Sequence, residues 1–335
     1  MAGNQFDVVG IGNAIVDVLS HAEDSFIAAK GLAKGSMNLI DQATADALYK
    51  EMGPGIEASG GSAGNTMAGV ASLGGRGAYI GKVANDTLGE IFRHDIKSVG
   101  LNFDTAPLIS ADGPSTARCL ILVSPDAERT MNTFLGACTR LAPEDIDGAL
   151  IAQGSITYVE GYLWDLDAAK QAIVKAADVA HEAGQKFSLT LSDSFCVMRH
   201  KAEFLDLIRN KVDILFANEA EITALFDTDS LDTATAALKG LCQTAALTRS
   251  GEGCRMMDGE TILDIPAQPV ATLVDTTGAG DQFAAGVLTG LAQGASLERA
   301  GQMGTVAAAE VISHFGARPE VTSLKALVEE KLGPA

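Results

Sequence analysis

SITYVEGYLWDLDAAKQAIVKAADVAHEAGQKFSLTL, residues 155–191, carries the reading that decides the fold. It opens on Ser155–Val159 and closes on Phe187–Leu191, two apolar runs of strand length. Between them, Leu166–Ala183 places apolar residues at three- and four-residue spacing, the pattern of a helix with one buried face. A helix between two such strands connects parallel neighbours of one sheet. The same rhythm extends outward in both directions. Further strand candidates are Phe6–Gly10, Ala78–Val83, Asp213–Ala217 and Ala245–Thr248, with helical stretches between them. Continuous apolar strands alternating with helices predict an α/β fold, a mostly parallel sheet flanked by helices on both faces.

Two regions break the rhythm. Residues 11–40 hold strand-like IVDVLS and SMNLI around one short helix, and Thr116–Phe134 holds ARCLILV and RTMNTF around the turn Ser124–Ala127. Strands without an intervening helix do not form βαβ units, so both regions, about 11–40 and 105–137, are assigned to a small accessory β-sheet. Ligands of open α/β sheets bind beyond the carboxyl ends of the strands. A second sheet placed there would act as a lid, and 1–335 is expected to be one domain carrying it.

Composition narrows the function. The net charge of −19 excludes nucleic acid as an expected partner, because phosphate backbones demand a surplus of Lys and Arg. No apolar run has the ~18 residues of a membrane span. Met1–Gln5 lacks a basic-apolar leader pattern, and a cytoplasmic location is the expectation. Cys119, Cys138, Cys196, Cys242 and Cys254 form no C-x-x-C pair, so buried thiols in a reducing compartment are expected.

The segment with chemistry in it is DTTGAGD, residues 275–281, followed by helix-like QFAAGVLTGLAQG. Gly278, Ala279 and Gly280 allow a ligand close to the backbone. At a helix start their N–H groups and the helix dipole favour an anion, here the charge of a transferred phosphoryl group. Asp281, in the first helical turn, is placed to take the proton of an attacking alcohol. The competing reading is a Gly-rich turn whose aspartate only complements the dipole. Asn218 and Glu221, three apart after the strand VDILFA, are close in space, and two readings fit them: ligand groups, or an N-cap with an acid behind it. Asn13 and Asp17 are four apart on a strand and so share a face.

DTTGAGDQFAAG resembles the C-terminal signature of the PfkB, or ribokinase, family of carbohydrate and nucleoside kinases. Gly60–Asn65 (GGSAGN) with GRGAYIGKVANDTLG resembles its N-terminal signature, and Asn218–Glu221 its N-x-x-E motif. The three occur in family order across essentially the whole chain. The resemblance implies a Rossmann-like, ribokinase-like domain with a β-sheet lid, ATP and Mg²⁺ as cofactors, and a small-molecule alcohol as substrate, in a monomer or a homodimer. GIGNAIVDV, SGGSAGNT, TYVEGYLW, SLTLSDSF and VDILFANEAE are similar to segments of the adenosine kinase branch. That branch phosphorylates the 5′-OH of adenosine.

By the same resemblance, Asp17 takes the ribose hydroxyls with Asn13 beside it, and Gly60, Gly61 and Asn65 form the sugar-binding loop. Met131, Leu135, Leu163 and Phe195 face the purine. Arg129 reaches the ATP phosphates, Thr248 and Gly253 line the nucleotide loop, and Asn218 and Glu221 organise Mg²⁺ through water. Asp275 and Thr277 correspond to a monovalent-cation (K⁺) site of many family members. Three alternatives stay open at this stage: a kinase of ribose, fructose or a related furanose; a nucleoside-binding protein without catalysis; and an NAD-dependent oxidoreductase suggested by Gly10–Ile11–Gly12. The last lacks the third glycine of its fingerprint, since Ile15 stands there.

Overall fold

The computed structural model describes residues 4–109, 113–126 and 128–334. Ala127, the last residue of the expected turn, and part of the 105–137 region lie outside the described residues. Among the described residues, thirteen strands make two sheets. The large one contains β1 (Phe6–Ile11), β5 (Gly77–Ile80), β8 (Gly154–Glu160), β9 (Lys186–Thr190), β10 (Ile214–Asn218), β11 (Thr244–Thr248), β12 (Cys254–Asp258) and β13 (Thr261–Ile265). Its order is β13-β12-β11-β10-β9-β8-β1-β5. The six strands from β11 to β5 run parallel, and β12 and β13 are antiparallel at one edge.

Alternate residues of the parallel strands point to opposite faces, and the core divides accordingly. Val9, Val159, Leu189, Leu215 and Leu247 join one apolar cluster. Val8, Tyr158, Phe216 and Ala246 join the other. The Asp167–Glu182 helix covers the first face with Ala169, Ala172, Ile173, Ala176, Ala177 and Ala180, the three- and four-residue spacing that its sequence displays. The Ser62–Ser72 and Ala279–Ala292 helices cover the second.

The second sheet has the order β3-β7-β6-β2-β4, from β2 (Ile15–His21), β3 (Met37–Leu39), β4 (Ile56–Gly60), β6 (Ala117–Val123) and β7 (Arg129–Phe134). Only Gly12–Ala14 separate β2 from the carboxyl end of β1, and only Gly61 separates β4 from the Ser62–Ser72 helix. These short joints hold the second sheet at the carboxyl edge of the first. β4 lies outside the strands expected from sequence. Its Ile-Glu-Ala-Ser-Gly alternates over only four residues, with a single large apolar side chain, and pairing with β2 supplies what propensity does not. The β12–β13 hairpin was likewise not expected. All five cysteines are buried and free. Among the described residues no helix is long and apolar enough to cross a membrane.

Candidate active site

Gly278 is the N-cap of the Ala279–Ala292 helix, in the left-handed region at φ 78°. A Cβ there would lie 2.6 Å from Ala317 Cα, so only glycine fits both the turn and the neighbour. No side chain caps this helix. The Ala279 N–H donates to Thr276 O at 3.2 Å, which withdraws one of the three amides expected for the anion hole. The amides of Gly278, Gly280 and Asp281 have no partner among the described residues. The Asp281 side chain points across to the Ser62–Ser72 helix. Ser62 Oγ donates to its Oδ1 at 2.7 Å and Asn65 Nδ2 to its Oδ2 at 3.4 Å. Burial pushes the Asp281 carboxyl up to about 6, with both hydrogen bonds pulling the other way. A carboxylate so placed is both oriented and basic enough to accept an alcohol proton.

Asp17 stands on β2, and Gly60 lies against it: a Cβ at Gly60 would sit 2.2 Å from Asp17 Oδ2. Burial pushes Asp17 up to about 6, against the pull of the Arg318 and Arg129 charges, and the Asp281 charge adds to the rise. Asn13 is buried, and its backbone N–H and Nδ2 donate to Glu160 Oε1 at 2.8 and 2.6 Å. Glu160 Oε2 accepts from the Ala63 N–H at 2.8 Å, and burial pushes this carboxyl up to about 7. Glu160 therefore ties the β1–β2 joint to the start of the Ser62–Ser72 helix. Sequence reading missed it, although a charge ending the apolar strand SITYV was a visible signal. Gly61 is the N-cap of that helix, at φ 82°.

The phosphate side is more self-contained. Arg129 Nη1 pairs with Asp275 Oδ2 at 2.9 Å, both side chains 9 % exposed. Nε and Nη2 of Arg129 are buried without a partner among the described residues. Thr277 donates to Asp275 Oδ1 from N at 3.0 Å and from Oγ1 at 2.7 Å, and the Gly316 N–H donates to Oδ2 at 3.1 Å. Burial alone would raise the Asp275 carboxyl, but these hydrogen bonds and Arg129 hold it below the ordinary range. The acid expected to serve K⁺ thus already has a cationic partner, and the Asp275–Thr277 pair does not fit as a monovalent-cation site.

Asn218 and Glu221 close a capping box. The Glu221 N–H donates to Asn218 Oδ1 at 2.8 Å, and Asn218 N and Nδ2 donate to Glu221 Oε2 and Oε1 at 2.9 and 2.6 Å. Burial pushes Glu221 up to about 7. No group of three or more His, Cys, Asp or Glu among the described residues could hold a metal ion. Thr248 ends β11 opposite Asn218. Gly253, at φ 94°, turns the chain into β12.

Of the four residues expected at the purine, Leu163 packs into the core beneath the sheet, which removes it from that set. Its neighbour Tyr162 is the exposed one, its hydroxyl donating to Ser192 O at 3.2 Å. Phe195 is 68 % exposed. Met131 packs beside Cys119, Ile121 and Val123 on the second sheet. Leu135, with Leu39, Ile40, Phe134 and Arg140, lines a cavity of about 510 Å³.

Known proteins share this fold. Residues 47–323 match the profile of the pfkB family carbohydrate kinases. The adenosine kinase of Sinorhizobium meliloti is 51 % identical, with a TM-score of 0.89, the match covering 98 % of this chain and 99 % of that one. A probable sugar kinase protein from Rhizobium etli is 48 % identical over 98 % of this chain and 99 % of its own, also with a TM-score of 0.89. The adenosine kinase of Saccharomyces cerevisiae is 27 % identical over 331 residues, 92 % of this chain and 95 % of that protein. A ribokinase-like sheet, a second small sheet at its edge and this set of relatives define an ATP-dependent kinase acting on an alcohol group. The chain belongs to the pfkB family of carbohydrate kinases.

Proposed function

We propose that the chain phosphorylates the 5′-OH of a ribonucleoside, adenosine foremost, with Asp281 as general base. The observation that carries this reading is the Asp281 carboxylate, steered by Ser62 and Asn65 to stand beside the unpartnered amides of Gly278 and Gly280. The hydroxyl oxygen attacks the γ-phosphorus, the bond to the β–γ bridging oxygen breaks, and the hydroxyl proton passes to Asp281. The products are the nucleoside 5′-monophosphate and ADP. The amides bind charge on the transferring group, and the orphan donors of Arg129 suit a phosphate oxygen.

Asp17 is read as the acceptor of the ribose hydroxyls, within a loop of Gly60, Gly61 and Asn65. Asn13 serves by holding Glu160, and Phe195, Met131 and Leu135 are the apolar contacts for the base. Mg²⁺ bound to ATP neutralises phosphate charge. It would be carried on the nucleotide with its waters, Asn218 and Glu221 acting at one remove and Thr248 and Gly253 shaping the nucleotide side. The second sheet, as a lid, excludes the water that would compete as acceptor.

The relatives named adenosine kinase support the nucleoside. The exposure of Phe195 and the loss of Leu163 from the base-facing set support a second reading, a furanose kinase. Phosphorylation of adenosine, inosine, ribose and fructose, measured side by side with ATP and Mg²⁺, separates them. A kcat/KM for adenosine below that for either free sugar would overturn the nucleoside assignment.

A further inference from the structure

Arg318 lies in GARPE, residues 316–320, a stretch with no motif and no periodicity. Its guanidinium meets three different elements. Nε donates to Asn65 Oδ1 at 3.2 Å, Nη1 to Asp95 Oδ2 at 3.1 Å and Nη2 to Ser59 Oγ at 2.8 Å. The segment that carries it is fixed from both sides. Gly316 donates to Asp275, and Gln282 Nε2 bonds both Ala317 O at 2.9 Å and Asn65 O at 3.0 Å.

An amide side chain has one accepting and one donating end, and arginine can only donate. The end of Asn65 that faces Arg318 must therefore be the oxygen. The –NH₂ is then left for Asp281. We propose that Arg318 is a positioning residue of the phosphoryl transfer, setting which end of the Asn65 amide meets the general base. This rests on the reading of Asp281 given above. Without Arg318 the amide is free to turn its oxygen toward the carboxylate, lone pair against lone pair, and Asp281 would hold its proton more tightly.

Other groups act on this centre by charge: Asp17 from the second sheet, Tyr158 and Glu160 from β8, Tyr162 just beyond it, Arg129 through Asp17, and Asp95 and Tyr79 on Arg318. Arg318 itself acts on Asp17 by charge. The test therefore uses a variant that keeps the charge.

Arg318→Lys loses the Nε–H while remaining cationic. With the panel alcohol that turns over fastest, its kcat should fall about tenfold, the worth of one oriented hydrogen bond. The acidic limb of its pH profile should move to higher pH, with KM little changed. In an Asn65→Ala background the same substitution should cost less than about twofold, because Arg318 acts through Asn65. Unchanged kcat in Arg318→Lys, or an equal loss in both backgrounds, overturns the proposal. If that variant does not fold, Ser59→Ala frees one side of the guanidinium. A kcat loss that disappears without Asn65 supports the proposal, and one that persists, or no loss at all, overturns it. Asp281→Asn is run alongside: near-normal kcat there removes the base itself, an outcome distinct from failure at Arg318.

Discussion

Asn218–Glu221 and Gly278–Asp281 are built from the same parts. Each begins a helix, and each has a carboxylate at the third helical position. In the first, the N-cap is asparagine, and its side chain and backbone consume both Glu221 oxygens. In the second, the N-cap is a glycine with nothing to offer, and Asp281 reaches instead to Ser62 and Asn65 of another helix. The first end is spent on stabilising itself. The second keeps its amides and its acid available. A reactive helix start is thus marked by what its cap leaves undone, more than by the acid it carries.

The hardest way to break this contrast is Asp281→Asn. A general base contributes about 10²–10⁴-fold, so kcat should fall by that much while calorimetry still detects nucleoside binding. Gly278→Ala comes next. At φ 78°, with Ala317 in the way, it should cost about 1–3 kcal/mol of backbone strain, seen as a lower thermal midpoint and more than tenfold lower kcat. A variant with normal melting and turnover would deny that the turn needs glycine.

The pH dependence sharpens the difference further. Burial raises Asp281 to about 6 in the free enzyme, and a protonated base cannot accept, so kcat/KM should be half lost near pH 6 and keep falling below it. The same raised affinity means that the contribution of Asp281 to stability is fully present below the usual carboxylate value and is lost as pH rises through about 6. The melting temperature of Asp281→Asn relative to wild type should accordingly be higher at pH 8 than at pH 4. Glu221→Gln should show the smallest effect. A glutamine oxygen still accepts from the Asn218 N–H, so only the bond from Asn218 Nδ2 is lost, at about 1 kcal/mol, with kcat within about threefold of wild type, the acidic limb unmoved and the KM for ATP modestly raised. A kcat loss as large as that of Asp281→Asn would erase the distinction between the two helix starts.

The parallel strands, their covering helices and the glycine turn before Asp281 were legible because each is local: a period, a run, a short motif. The β12–β13 hairpin carried a signal that went unused, Asp258–Gly259 with Gly259 at positive φ. β4 carried only a faint one, Ile56-Glu57-Ala58-Ser59 with one large apolar side chain, since its strand character comes from a partner distant in the chain. The role of Glu160 depends on Asn13 and Ala63 arriving from elsewhere, and that of Arg318 on three elements meeting. Leu163 was misplaced because an apolar residue beside a site and one under it look alike in sequence.

The five sequestered thiols give this protein an internal clock. Burial pushes Cys119, Cys196, Cys242 and Cys254 up to about 12 and Cys138 well above the ordinary thiol range, so the folded chain offers an alkylating reagent almost no thiolate. Each cysteine is labelled only when its own surroundings come apart. Cys119 belongs to the second sheet and Cys254 to the far edge of the first, so the sequence in which they acquire label records which sheet opens first, in the native chain and without an introduced probe.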